Sequence, residues 1–93
     1  MKIKLYMKLE KKGKFVGKDS EKNVFLLQNE KGEVIEVSQM IFKLWEISGN
    51  NKTVREVINE YMKFYRLRGW ELRRIVKEIL EMFVEKSLLS IQA

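Results

Sequence analysis

Asn23-Val24-Phe25-Leu26-Leu27-Gln28-Asn29-Glu30-Lys31-Gly32-Glu33-Val34-Ile35-Glu36-Val37 is the stretch from which the fold follows. Val24 to Gln28 is apolar on both sides, with Phe25, Leu26 and Leu27 consecutive, which predicts a short central strand. Asn29-Glu30-Lys31-Gly32 is turn chemistry, because Gly32 accepts a positive φ without a side-chain clash. Glu33 to Val37 then predicts an antiparallel return. Glu33, Ile35 and Val37 share one face and Val34 and Glu36 the other. Two glutamates in so short a strand suit an edge rather than a centre. The backbone of Glu33, Val34, Ile35, Glu36 and Val37 is therefore a candidate docking edge for an extended peptide.

Upstream, Lys2 to Leu9 alternates, with Ile3, Leu5, Met7 and Leu9 on one side and Lys2, Lys4, Tyr6 and Lys8 on the other. A period of two predicts a half-buried strand. Lys11-Lys12-Gly13 interrupts it. Lys14 to Lys18 reads either as a second short strand anchored by Phe15 or as a bulged continuation of a hairpin. Gly17 to Lys22 is a turn or loop. Whether Lys2 to Leu9 pairs within its own chain or with a second copy is open at this level, since Lys11 to Gly13 and Gly17 could act as hinges for exchange.

Downstream, the periodicity changes to helical. Ser38 is a good N-cap for a helix over Gln39 to Ile47, which is apolar nearly all round and so predicted to lie between two layers. Gly49 stands at the expected C′ position. Thr53 followed by Glu56 is a capping box that opens a second helix, with Val54, Val57, Ile58, Tyr61, Phe64 and Tyr65 at helical spacing. A third helix is predicted from about Trp70 to Lys86. Its apolar positions, Leu72, Ile75, Val76, Ile79, Leu80, Met82, Phe83 and Val84, cover an arc of about 200°, wider than a core-facing stripe requires. The excess needs a cover: Leu88-Leu89-Ser90-Ile91, a second copy, a ligand, or the amino-terminal strand. On one flank Leu80 and Val84 sit beside Arg73 and Lys77, an apolar wall with a basic rim. On the other, Ile75 and Met82 lean towards Glu78. The resulting class is α+β, a small antiparallel sheet of about three strands followed by three helices, winged-helix-like in outline.

Composition narrows the chemistry. The 93 residues form one domain, with 45% hydrophobic and 34% charged residues, as in a globular chain. Cysteine and histidine are absent and Asp19 is the sole aspartate. Disulfides, thiol nucleophiles, zinc sites and histidine acid–base chemistry are thereby removed, and no catalytic residue or metal ligand is expected. No glycine-rich phosphate loop and no cofactor motif is present. No apolar run approaches a membrane span and no signal peptide is visible, so a cytoplasmic protein without membrane contact is expected. The Lys/Glu-rich mixture is compatible with a thermophilic source, although the absence of proline argues the other way. The formal net charge is +6, and residues 1–22 carry eight lysines against three acidic residues. Such an arm can contact polyanions, but it is more often a solvated edge whose lysines discourage strand aggregation.

From Val24 to about Leu89 the chain resembles the PqqD-like family, also called the RiPP recognition element. The features that carry the resemblance come in order. Val24-Phe25-Leu26-Leu27 leads through a turn to Gly32-Glu33-Val34-Ile35-Glu36-Val37. A polar cap precedes Leu44-Trp45-Glu46-Ile47. Thr53-Val54-Arg55-Glu56-Val57-Ile58 opens the second helix, and Lys86-Ser87-Leu88-Leu89 closes the third. The chain departs from the family pattern at Ser38, at Ile41 and Phe42, and at Gly49-Asn50. The resemblance implies a non-catalytic, peptide-binding chaperone. Such a protein captures the leader of a ribosomally made precursor peptide and presents it to a modifying enzyme, often a radical SAM protein. It also implies that the leader adds as a strand to Glu33–Val37 and fills a groove beside the third helix. There Leu80 and Val84 would form an apolar wall, and Arg73 and Lys77 would attract leader acids.

Two other classes compete. A winged-helix nucleic-acid binder would use Arg66, Arg68, Arg73 and Arg74 with the lysine arm. Glu71, Glu78, Glu81 and Glu85 interrupt its recognition helix and weigh against it. A self-associating module would pair two copies through the edge strand or by exchange of the amino-terminal strand.

Overall fold

The computed structural model describes residues 2–92, which form β1 (Leu9–Lys11), β2 (Lys14–Asp19), β3 (Val24–Gln28), β4 (Val34–Val37), α1 (Gln39–Ile47), α2 (Val54–Phe64), α3 (Trp70–Glu85) and β5 (Leu89–Ile91). The class is α+β, as the sequence predicts. β2, β3 and β4 make one antiparallel sheet in that order, and β1 pairs antiparallel with β5 in a second. The apolar run of β3 is its central strand. Leu27 is fully buried on one face, and Phe25 stacks on Phe42 of α1 with ring centroids 4.6 Å apart.

The helices start where their caps stand. Ser38 Oγ accepts from the Ile41 amide at 3.2 Å. Thr53 Oγ1 accepts from the Glu56 amide at 3.1 Å, while the Thr53 amide donates to Glu56 Oε1 at 2.8 Å, which closes the capping box. One continuous core lies between the sheet and the helices and includes Leu27, Val37, Leu44, Trp45, Val57, Ile58, Val76, Leu80 and Phe83. Each large side chain fully withdrawn from water there contributes about 1.5–3 kcal/mol. Trp45 also satisfies its polar tip, because its indole Nε1–H donates to the Leu88 carbonyl at 2.9 Å.

The amino-terminal segment differs from the strand predicted over Lys2 to Leu9. Only Leu9 belongs to a strand, Lys8 makes an isolated bridge with Thr53, and the Met7 amide closes a turn onto the Lys4 carbonyl at 3.1 Å. The alternation of burial does hold: Ile3 and Leu9 are buried, Leu5 and Met7 half-buried, and Lys2, Lys4, Tyr6 and Lys8 exposed. What differs is the backbone partner. The Leu9 amide donates to Lys52 O (3.1 Å), Val54 N to Met7 O (2.8 Å) and Arg55 N to Leu5 O (3.0 Å). The Ile3 amide donates to the Glu81 carboxylate on α3 at 2.9 Å. A period of two reports alternate burial of an extended chain; it does not say that the neighbour is a strand. This segment is sealed onto α2 and α3 of its own chain.

The carboxy-terminal Leu89–Ile91 supplies the partner of β1, with Leu9 opposite Ile91 and Lys11 opposite Leu89. Gly13 then turns the chain from β1 into β2 at φ 76°, where a Cβ would collide with the Gln28 carbonyl. Lys11 Nζ reaches the Glu46 carbonyl at 2.7 Å and lies over the Trp45 ring, so the last turn of α1 gains a cation. Its partial burial lowers the Lys11 pKa, against the raising effect of Glu46.

Candidate peptide-binding edge

Among the described residues, β4 pairs with one neighbouring strand, β3. Its register with β3 pairs Val34 with Gln28, Ile35 with Leu27, Glu36 with Leu26 and Val37 with Phe25. The Asn29 amide donates to the Glu33 carbonyl at 2.9 Å, which fixes the phase of the antiparallel ladder. By alternation Ile35 and Val37 bond to β3, and the N–H and C=O of Val34 and Glu36 point away from it. The same two residues present their side chains outward: Val34 is 54% exposed and Glu36 lies 3.3 Å from Lys22 Nζ. Ile35 and Val37 turn inward to the core. Glu33 lies just before β4 and its carboxylate accepts from Asn29 Nδ2 at 2.9 Å.

The opposite edge of the sheet is built differently. β2 is bulged at Val16, between the Phe15–Leu27 and Gly17–Leu26 pairs, and it carries Lys14 and Lys18. A bulge and lysines are the devices that keep a further strand from adding. β4 has a regular register and no lysine. Of the two edges, β4 is the regular one and carries Glu36 in place of lysine.

Asn29 holds that edge in place. It is buried, with Oδ1 accepting from the amides of Lys31 (3.0 Å) and Glu33 (2.9 Å). Its Nδ2 donates to the Lys86 carbonyl at 2.8 Å, which ties the β3–β4 turn to the end of α3. Sequence identifies the turn but not this tie, since nothing local distinguishes a turn asparagine that faces water from one that faces a helix terminus.

α3 packs on the core through Val76, Leu80 and Phe83 and leaves two flanks about 180° apart. One flank carries Arg73, Lys77, Glu81 and Val84. It faces the amino-terminal segment, since Glu81 holds the Ile3 amide and Arg73 and Lys77 line a cavity with Leu5. The other flank carries Leu72, Ile75, Ile79 and Met82. Ile79 and Met82 pack at the margin of the core, while Ile75 is 46% exposed.

The residues expected from sequence therefore divide. Glu33, Val34, Ile35, Glu36 and Val37 form or adjoin one edge. Arg73 and Lys77 sit together on the flank lined by Leu5. Leu80 is wholly buried and Val84 half-buried. Leu72, Ile75 and Ile79 receive no site role in the sequence reading. Choosing between the flanks requires knowing which one the amino-terminal segment covers, and that is a tertiary fact. Between the flanks, the outer face of α3 alternates charge, with Arg74 3.7 Å from Glu78.

Among the described residues no group of acidic side chains is placed to hold a metal ion, and no helix is long and apolar enough to cross a membrane. Comparisons of the chain with protein-family models, with curated proteins and with solved structures returned no match.

Proposed function

We propose that this chain is a peptide-binding module that takes an extended segment as an added strand along β4. The observation that carries the reading is the outward N–H and C=O of Val34 and Glu36 on a regular edge, opposite a β2 edge that is bulged and lysine-bearing. The resemblance to the PqqD-like family over Val24–Leu89 supports the same reading and names the guest, the leader of a ribosomally made precursor delivered to a modifying enzyme such as a radical SAM protein.

Magnitudes show what else the site needs. Main-chain bonds at Val34 and Glu36 contribute about 0.5–1.5 kcal/mol each, which together falls short of the roughly 8 kcal/mol of a micromolar complex. The remainder comes from apolar burial. β4 is the edge of the sheet remote from β2, which runs on from β1 and its partner β5. The Asn29–Lys86 bond brings the turn before β4 to the end of α3, and the α3 flank turned away from the amino-terminal segment, with Ile75, Ile79 and Met82, is the wall we assign to a guest side chain. The guest thus carries aliphatic or aromatic residues at alternate positions.

The test is titration of labelled peptides, encoded by short reading frames beside the gene, against wild type and Ile75→Ser. Binding by wild type that weakens about tenfold in the variant fits a lost apolar contact. Equal binding by both proteins removes α3 from the site.

A further inference from the structure

We infer that a second binding site lies on the opposite flank of α3, a cavity with an apolar floor and a cationic rim that receives an acidic peptide segment carrying one large apolar residue. The inference does not rest on the reading of β4. The cavity measures about 310 Å³ and is lined by Leu5, Ile58, Trp70, Arg73, Arg74 and Lys77.

The occupant is argued from chemistry and shape. Leu5 and Ile58 supply an apolar floor, and Trp70, which is 69% exposed, supplies a wall. An exposed tryptophan beside arginines is the composition of an interface hot spot rather than of ordinary surface. Arg74 lies over the Trp70 ring at 5.5 Å, a cation–π contact between two residues that line the cavity. The volume suits one leucine- or phenylalanine-sized side chain and is at the lower limit for a small-molecule site.

Charge sets the flanking residues. Arg74 and Lys77 are each balanced by a helix carboxylate, Glu78 at 3.7 Å and Glu81 at 3.8 Å. Arg73 makes no ion pair among the described residues, so it is the cation left for a guest carboxylate. A nucleic-acid strand tracking along α3 would meet Glu71, Glu78 and Glu85 on the outer face, whereas a short acidic segment need touch only the rim. The cationic rim and apolar floor therefore favour an acidic peptide over a polynucleotide.

The test uses the full chain and a blocked hexapeptide, Glu-Asp-Phe-Leu-Asp-Glu, with three controls: Lys-Lys-Phe-Leu-Lys-Lys, Glu-Asp-Ser-Ser-Asp-Glu and single-stranded oligo-dT. The two indole N–H resonances read the outcome, because Trp70 borders the cavity while Trp45 is locked to Leu88. The acidic apolar peptide is expected to shift the Trp70 indole and the Ile58 and Arg73 amides at up to millimolar concentration. The Trp45 indole and the Val34 and Glu36 amides stay in place, and Arg73→Glu weakens the shift by about tenfold or more. An unchanged Trp45 resonance in Arg73→Glu verifies that the variant is folded. An unmoved Trp70 indole, an equal response to the lysine or serine peptide, or a response to oligo-dT alone overturns the inference.

Discussion

The side-chain amide of Asn29 donates to the main-chain carbonyl of Lys86, 2.8 Å away, and so joins the β3–β4 turn to the end of α3. The same side chain accepts from Lys31 and Glu33 and fixes the strand that follows. One residue therefore sets both the phase of β4 and its position relative to α3. Asn29→Ala is expected to cost about 1–3 kcal/mol, because it removes a buried side chain that makes three part-buried hydrogen bonds to the main chain. The denaturation midpoint should fall with an unchanged slope; an unchanged midpoint would show that water replaces the amide without loss.

The backbone phase of β4 makes two proline substitutions differ. Val34→Pro removes an N–H that points away from β3 and is expected to cost about 1 kcal/mol or less. Ile35→Pro removes a ladder bond to Leu27 and is expected to cost about 3 kcal/mol or more. Thermal melting of the pair separates these; a larger loss for Val34→Pro than for Ile35→Pro would mean that the ladder runs in the other phase.

Ile3 is fully buried although its neighbours Lys2 and Lys4 are exposed. Ile3→Ala is expected to destabilise by about 2–5 kcal/mol, as a core truncation does. Tyr6→Ala, at a position 75% exposed, is expected to stay within about 0.5 kcal/mol. If the amino-terminal segment exchanged between copies, the melting midpoints of wild type and Ile3→Ala would both rise with protein concentration, and the prediction is that they do not.

Glu56 is held below the usual carboxylate range, first by its hydrogen bond from the Thr53 backbone, then by the Thr53 hydroxyl, with Lys8 and Lys52 adding smaller effects. A depressed folded-state pKa contributes stability that is present above the unfolded value and is lost as pH falls through the folded one. Wild type should therefore exceed Glu56→Gln in stability near about pH 6, and the gap should close towards about pH 3. A gap that is constant with pH would assign the capping benefit to shape rather than charge.

The hairpin, the caps and the three helices are legible in sequence because each rests on local chemistry: Gly32 in the turn, Ser38 at α1, and Thr53 with Glu56 at α2. β5 and the course of Lys2 to Lys8 are not, because their partners lie far along the chain. The pattern over Ile3, Leu5, Met7 and Leu9 gives burial correctly and leaves the neighbour unspecified. The site divides in the same way. Val34 and Glu36 follow from an edge strand read locally. The two flanks of α3 follow from helical spacing, but which of them the amino-terminal segment covers depends on the Ile3–Glu81 bond between chain positions far apart.

The central claim is that a peptide joins the sheet at β4, and amide hydrogen exchange on the bound and free chain tests it most directly. Peptides selected for binding from a random linear library serve as guests. The account predicts that a bound guest slows exchange at the outward amides of Val34 and Glu36, leaves the β2 edge unchanged, and no longer binds Val34→Pro or Glu36→Pro. Guests that bind both proline variants as tightly as wild type, with no added protection at Val34 and Glu36, would contradict it.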